Sequence, residues 1–475
     1  MFVRRAPMLA KPLGVVAAAG WFGLLLWMLA LPMPANGADS APSGAASATS
    51  QAPAGSAPAP SVTTGSAAAA VPIAAATPSA ISANPGAVTS TPGTGWLGRL
   101  IGFTPESGIR LGGLWIGNSN YLFTGGVQPR SWSFNSLLVV NLNVDAEKLI
   151  GLPGSSFDAS VLQFDGQDDN EKAGTVPGYD GLVGPKPMDR TQLYELWWRQ
   201  RLFGDKLILR VGKMVTTTDF NNVSRPIPVT DQSLQIPSVT GVIFTPIFKN
   251  PTMIGAAPGY YNSAYGIAAN IAPTRNFYLT YGIYDGAGTR EIQTGLREAP
   301  VLNGHYFTIA EAGYAWLYGD QKLPGIVAIG GWARTGELYG GGTQQEGAQG
   351  LYAFGSQRLW RHHAGIDNSG VSGYFQFGFN DSRTMIANRY FGLGFTAFSL
   401  IPERPADSFG SGLAWTWLNR RYGFRSNQAI LQTYYQMHLI SSSFLEPVLS
   451  YIPNPGEGRN VQGAVTMTAQ LVILF

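Results

Sequence analysis

Residues 193–213 read LYELWWRQRLFGDKLILRVGK. With a period of two, the first half separates into two faces. Leu193, Glu195, Trp197, Arg199 and Arg201 share one, and Tyr194, Leu196, Trp198, Gln200 and Leu202 share the other. Gly204-Asp205 supplies a tight-turn signal. The following run alternates again, Leu207, Leu209 and Val211 against Lys206, Ile208, Arg210 and Gly212. The stretch is therefore a β-hairpin with one apolar and one charged face. In a soluble sheet the apolar face would cover a core. In a transmembrane barrel it meets lipid, and the charged face meets a wet lumen.

The start of the chain favours export. Arg4, Arg5 and Lys11 precede an apolar run from Leu13 to Leu31, and small residues follow at Ala35, Gly37 and Ala38. This is the three-part layout of a signal peptide over residues 1–37; the run is also long enough for a retained anchor. Residues 38–95 are mostly Ala, Ser, Pro, Thr and Gly, with Asp39 as the single charge. Such a segment cannot bury enough apolar surface to offset its ordering entropy, so it reads as a disordered linker, either a periplasmic tether or a plain spacer.

About 380 residues remain, 96–475, which suits a large barrel better than a typical single soluble domain. The absence of Cys fits an oxidising compartment occupied without disulfides. No later stretch approaches the roughly 20 apolar residues of a spanning helix. A net charge of +3 is too small to suggest nucleic acid. Four His and no Cys make a metal site improbable. Gly340-Gly341-Gly342 lacks the following Lys-Ser of a phosphate loop. His438 near Ser441-Ser442-Ser443 along a strand is not triad geometry. Neither enzyme chemistry nor a cofactor is expected.

Strand-like alternation recurs along the chain. Ile109, Leu111, Gly113 and Trp115 alternate with Arg110 and Gly112. Over 133–145, Phe134, Leu138, Val140, Leu142 and Val144 oppose Ser133, Asn135, Asn141, Asn143 and Asp145, although Leu137 and Val139 interrupt the polar side. Leu162 and Phe164 oppose Gln163 and Asp165; Phe375, Phe377 and Phe379 oppose Tyr374, Gln376 and Asn380. Long Gly-, Pro- and Asn-rich segments at 167–190, 220–259, 286–305 and 336–350 separate some strands, while short turns such as Gly204-Asp205 separate others, the outer-membrane pattern. The final strand places Val461, Gly463, Val465, Met467, Ala469, Leu471, Ile473 and the terminal Phe475 on one face, with Gln462, Thr466, Thr468 and Gln470 on the other. An amphipathic closing strand ending in Phe resembles the signal read by the machinery that inserts outer-membrane barrels. The expected fold is an all-β transmembrane antiparallel barrel with long extracellular loops.

Energy orients the hairpin. An Arg on the lipid face near the midplane costs roughly 2–4 kcal/mol. Glu195, Arg199, Arg201 and Arg210 are therefore expected in the lumen, and Tyr194, Trp198, Leu207, Leu209 and Val211 against lipid. Trp198, Tyr314, Trp316, Trp415 and Trp417 read as interface-girdle aromatics.

Several stretches together resemble the carbohydrate-selective porins of the OprB type. These are NSNYLFTGGVQPRSW at 118–132, LVVNLNVDAEKLIGLPGSSFDASVLQFDG at 138–166, YELWWRQRLFGDKLILRVGK at 194–213, AYGIAANIAPTRNFYLTYGIYDG at 264–286, EAGYAWLYGDQKLPGIVAIGGW at 311–332 and GLYAFGSQRLWR at 350–361. QTYYQMHL at 432–439 and LSYIPNPG at 449–456 complete the series, with Gln432 where the family pattern has an acid. The resemblance implies a 16-strand barrel, monomeric or trimeric, whose lumen is narrowed by inward loops and passes sugars by diffusion.

Sugars present hydroxyls that want hydrogen bonds and C–H faces that pack on rings, and a diffusive channel must hold both weakly. Arg110, Asp165, Glu195, Trp197, Arg199, Arg201 and Arg210 supply that mixture: guanidinium forks donate and carboxylates accept. The expected solutes are small sugars, monosaccharides such as glucose, and the expected surroundings outer-membrane lipid. The rival readings are a general or anion-leaning porin, a barrel whose tether anchors the envelope, and a soluble sugar-binding β protein.

Overall fold

Sixteen strands carry the alternation in a computed structural model that describes residues 93–185, 189–221, 223, 249–259, 262–286, 305–363, 369–440 and 442–475. The expected signal peptide, and the expected linker apart from its last three residues, lie outside that set. The strands are β1 (Ile109–Gly126), β2 (Ser131–Asp145), β3 (Ser155–Asp165), β4 (Arg190–Leu202), β5 (Leu207–Met214), β6 (Ala264–Ile271), β7 (Phe277–Asp285) and β8 (Tyr306–Tyr318). They continue as β9 (Leu323–Gly340), β10 (Thr343–Arg361), β11 (Gly370–Asn380), β12 (Ala387–Phe398), β13 (Ser408–Leu418), β14 (Asn427–His438), β15 (Ser443–Ile452) and β16 (Gln462–Leu474). Short helices α1 (Trp96–Leu100), α2 (Ala146–Ile150) and α3 (Asp169–Ala173) stand outside the sheet.

Each strand pairs antiparallel with its sequence neighbours, and β1 pairs with β16, so the sheet closes on itself. Closure leaves no edge, which hydrocarbon would not hydrate. An even strand number puts the start of β1 and the end of β16 at one rim, here the terminal rim. There the Phe475 carbonyl accepts from the backbone N–H groups of Thr94 at 3.1 Å and Gly113 at 2.8 Å, sealing the β1–β16 seam. Short connections such as 203–206, 272–276 and 319–322 lie at this rim, and the long ones, 166–189, 215–263 and 286–305, at the opposite or loop rim.

The 193–213 hairpin forms with a tight four-residue connection, in which Phe203, Gly204 and Asp205 all take positive φ, 57°, 64° and 66°. One register irregularity changes its faces. Ser160 pairs with Glu195 but Val161 pairs with Leu193, so Tyr194 is an extra residue, a β-bulge. Two consecutive side chains, Tyr194 and Glu195, consequently turn inward, and both are fully buried. The sequence expectation of Tyr194 against lipid is corrected by this bulge. Beyond it the alternation resumes as read, with Leu196 and Val211 exposed outside and Trp197 inside.

The interruption at Leu137 and Val139 also has a physical cause. Their register partners Ile116 and Leu114 on β1 and Phe164 and Leu162 on β3 face inward and are buried, as are Val472 and Leu474 of β16, which pair in turn with Ile116 and Leu114. Together they form an apolar shelf inside the barrel. Leu182, from the β3–β4 connection, packs on it with Tyr194 and Val215. Covering a Leu-sized side chain contributes about 2 kcal/mol, which helps to offset the ordering of that connection.

Candidate functional site

A belt of polar side chains crosses β1–β5 on the lumenal side. Successive registers align Arg110 with Asn143, Asn143 with Asp158, Asp158 with Trp197 and Trp197 with Gly212. Alternation along each strand sends all of these to the same face. Asp158 is buried, and its carboxylate accepts from Asn141 Nδ2 at 2.8 Å and Asn143 Nδ2 at 3.3 Å. Gly212 lies where Trp197 needs it. A Cβ there would fall 2.2 Å from the Leu196 carbonyl oxygen and 2.7 Å from the Trp197 Cα, and its φ is +140°.

The Trp197 indole lies among cations. The Arg210 guanidinium sits 5.2 Å from its ring centroid and that of Arg199 5.9 Å. Arg199 donates to Ser156 Oγ at 3.2 Å, and Arg210 is ion-paired with Asp219. Arg199 and Arg210 are register neighbours, so their mutual repulsion must be met by carboxylates nearby. Glu195, fully buried, lies one inward position along β4 from Trp197 and accepts from the Val215 N–H at 3.1 Å. Arg110, half-buried, donates to the Gly93 carbonyl. The belt thus holds three guanidinium groups, Arg110, Arg199 and Arg210, against three carboxyls, Asp158, Glu195 and Asp219.

Of the seven residues singled out from the sequence, five assemble here: Arg110, Glu195, Trp197, Arg199 and Arg210. Arg201 stands apart at the terminal rim, exposed, with Asp205 at 3.5 Å and Glu147 at 3.9 Å. Asp165 is exposed on the outward side of β3, because Ser156, Asp158, Ser160, Leu162 and Phe164 take the inward positions. The inward carboxylate of β3 is Asp158, which sequence reading passed over. The signal was present: Asp158 shares parity with Ser156 and Ser160, and its amide partners Asn141 and Asn143 were already on the polar face of β2. Asp219, beyond β5, carried no such signal.

The β3–β4 connection enters the barrel beside this belt. Asp168 caps α3 by accepting from the Glu171 N–H at 2.8 Å. Asp180 accepts from Asn118 Nδ2 at 2.9 Å and Asn120 Nδ2 at 2.8 Å, both on β1. Gln428 on β14 accepts from the Val176 N–H at 2.9 Å and donates to the Pro177 carbonyl at 2.8 Å. Gln432 donates to the Tyr179 carbonyl at 2.9 Å. The connection therefore bridges β1 to β14 across the inner face of the closing seam. On another part of the wall, residues 249–259 are held by Asn380, which donates to the Thr252 carbonyl at 2.7 Å, and by Arg334, which donates to the Gly255 carbonyl at 2.8 Å. Two connections thus occupy the lumen, and the polar belt remains between their attachments.

Residues 136–475 match the family described as carbohydrate-selective porin, OprB family. Porin B of Pseudomonas aeruginosa is 20% identical over 417 residues, a match spanning 76% of this chain and 86% of that protein. The high-pH structure of Pseudomonas putida OprB superposes with a TM-score of 0.67 at 17% identity, covering 80% of this chain and 97% of that one. Its low-pH counterpart gives 0.51 at 13% identity, over 80% and 96%. The structural likeness at these identities concerns the fold.

Proposed function

The chain belongs to the OprB family of carbohydrate-selective porins, and from that premise we propose that it passes small neutral sugars, monosaccharides such as glucose, by diffusion through the outer membrane into the periplasm. Fold and family are those of channel proteins rather than enzymes. In this reading the loop rim faces outward and the terminal rim faces the periplasm, following the usual asymmetry of long and short connections.

The observation that carries the reading is the mixed belt. Three guanidinium groups stand among three carboxyls, so fixed hydrogen-bond donors and acceptors lie side by side at the lumen wall. A neutral polyhydroxy solute can exchange hydrogen bonds with water for hydrogen bonds to this wall at little net cost, so it is held weakly and released. Arg199, half-buried at the edge of the belt, presents donors to the lumen, while Trp197 and Ser156 hold its side chain in place. The buried Trp197 thus positions cations rather than offering its own face to sugar.

Swelling of liposomes containing the purified protein tests this, with glucose, a disaccharide and a charged amino acid of similar size. Glucose should enter faster than size alone predicts. Arg199→Ala should lower that excess roughly threefold to tenfold, the worth of one ordinary, partly hydrated hydrogen bond. Uptake graded by solute size alone, unchanged by Arg199→Ala, would remove sugar selectivity and leave a general diffusion pore.

A further inference from the structure

Outside the lumen, the connections β13–β14 and β15–β16 enclose a cleft of about 580 Å³ at the loop rim. Arg420, Arg425 and Arg459 line it with Phe424, Asn427 and Asn454. Both connections are pinned. Arg425 donates to the carbonyls of Gly458 at 2.9 Å and Val461 at 2.9 Å, tying one connection to the other. Asn454 donates to Asn427 Oδ1 at 2.8 Å and accepts from the Ala429 N–H at 3.0 Å. Asn419 fixes the turn that carries Arg420, donating to the Met385 carbonyl at 2.9 Å. Arg420 and Arg459 themselves are exposed, and neither has an ion pair or a side-chain hydrogen bond among the described residues. The single acidic residue of the two connections, Glu457, lies toward Gly174 and α3, on the lumenal side.

The cleft stands over the lipid-facing surface. Asn427, Ala429 and Leu431 share the outward face of β14, and Leu431 pairs with Tyr451 of β15. Leu431, Leu449 and Tyr451 are exposed there. The register partner of Asn427 is Trp417, stacked on Trp415 with centroids 5.5 Å apart and planes within 6°. Such an outward aromatic pair marks the interface level of a membrane barrel. Two unpartnered guanidinium groups therefore sit just above the apolar belt, at the depth of lipid headgroups, where a phosphate can take a bidentate fork and the attached acyl chains can follow the wall.

We infer that this cleft binds the phosphate groups of a phosphorylated glycolipid in the outer leaflet, with Arg420 and Arg459 as its ligands and Arg425 holding the two connections together. The inference rests on the outward orientation of the loop rim given above. A free anion would find the same charges, but the adjoining column of Leu431, Leu449 and Tyr451 favours a ligand with acyl chains.

Native mass spectrometry of the full detergent-purified protein provides the test, with diphosphorylated lipid A, its monophosphorylated form, phosphatidylcholine and inorganic phosphate as probes. The diphosphorylated lipid should be retained best, phosphatidylcholine least, and inorganic phosphate should not displace the lipid. Arg420→Ala/Arg459→Ala should bind the diphosphorylated lipid at least about tenfold more weakly, while Arg420→Lys/Arg459→Lys retains part of the binding. Unaltered migration of the folded barrel on unheated gels identifies a variant that has folded. Equal retention by the folded alanine variant overturns the inference, as does displacement by inorganic phosphate, which would mark a free-anion site. Sugar uptake does not enter this measurement. Failure of the orientation is read separately, from protease cleavage at residues 453–461 in intact cells: protection there with cleavage only after the outer membrane is opened places the cleft on the periplasmic side.

Discussion

The inward face of β1–β5 carries Arg110, Asp158, Glu195, Arg199 and Arg210, whereas that of β11–β14 carries mostly neutral groups: Ser372, Tyr374 and Gln376, Tyr390 and Thr396, and then Gln428, Gln432, Tyr434 and Gln436. Both faces line one lumen and obey the same alternation, but their internal order is different in kind. The charged wall requires compensation, so Arg210 meets a carboxylate, Arg110 a carbonyl and Arg199 a hydroxyl, and Trp197 lies beside two of them. The neutral wall requires only hydrogen bonds, such as Thr396 with Tyr434 at 2.6 Å. Burying a paired hydroxyl or amide costs far less than burying an ion. The neutral wall can therefore be rebuilt residue by residue, and the charged one only as a set. Asp180 and Gln428, through the β3–β4 connection, join the two.

That joint is where the comparison can be broken most forcefully. Asp180→Ala leaves the buried amides of Asn118 and Asn120 without their acceptor, at about 1–3 kcal/mol for each. Guanidinium unfolding of the detergent-solubilised barrel should shift accordingly, and single-channel conductance should rise as the connection leaves the lumen. Unchanged conductance would mean that its other attachments, among them Gln428 and Gln432, suffice to hold it in place.

Arg210→Met tests the charged wall itself. It removes the partner of Asp219 and one cation from Trp197, with an expected loss of roughly 1–3 kcal/mol, less than for a fully buried pair because Asp219 keeps 23% of its side-chain surface exposed. The measurement is again the unfolding midpoint, together with a shift of ion selectivity toward cations in planar bilayers. Tyr434→Phe is the counterpart on the neutral wall. It should cost about 1 kcal/mol and leave the sugar preference intact. If liposome swelling shows it to weaken glucose uptake as strongly as Arg199→Ala, both walls contact the solute and the two do not differ in function.

A finer effect concerns pH. Asp169, in the β3–β4 connection, is fully buried. That burial and then the neighbouring Asp180 carboxylate raise its pKa well above the usual carboxylate range, with Asp168 and the Tyr179 hydroxyl also facing it. A carboxyl raised in this way keeps its proton in the folded state, so its stabilisation is complete below the ordinary value of about 4 and is lost as pH rises through the folded value. The connection should be held more firmly in acid than at neutral pH, read as protection from protease within 166–185, and Asp169→Asn should flatten that dependence. The smallest effect belongs to Arg201→Ala. With its exposed partners Glu147 and Asp205, it should alter stability by no more than about 0.5 kcal/mol and leave sugar uptake unchanged.

The barrel was legible in the sequence because its signal is local. A strand between lipid and water must alternate wherever it lies, so Leu207, Leu209 and Val211 against Arg210 declare a membrane-facing side without knowledge of any partner. The closing strand did the same through Met467 and Ile473 outside and Thr466, Thr468 and Gln470 inside. Most of the belt followed, since Glu195, Trp197 and Arg199 share parity on one strand. Tertiary structure alone decided where parity is reset and what covers the inner face. The bulge at Tyr194 depends on β3, which is paired across a long connection. Asp158 was masked because Leu162 and Phe164, which share its parity, are apolar yet face inward, where they pack on the shelf formed with Leu137 and Val139. The connection that enters the barrel is selected by Gln428, 252 residues away from the Val176 N–H it accepts. Period-two patterning records only a residue's own two environments, whereas bulges and inward connections are fixed by contacts distant in sequence, and alternation carries no trace of those.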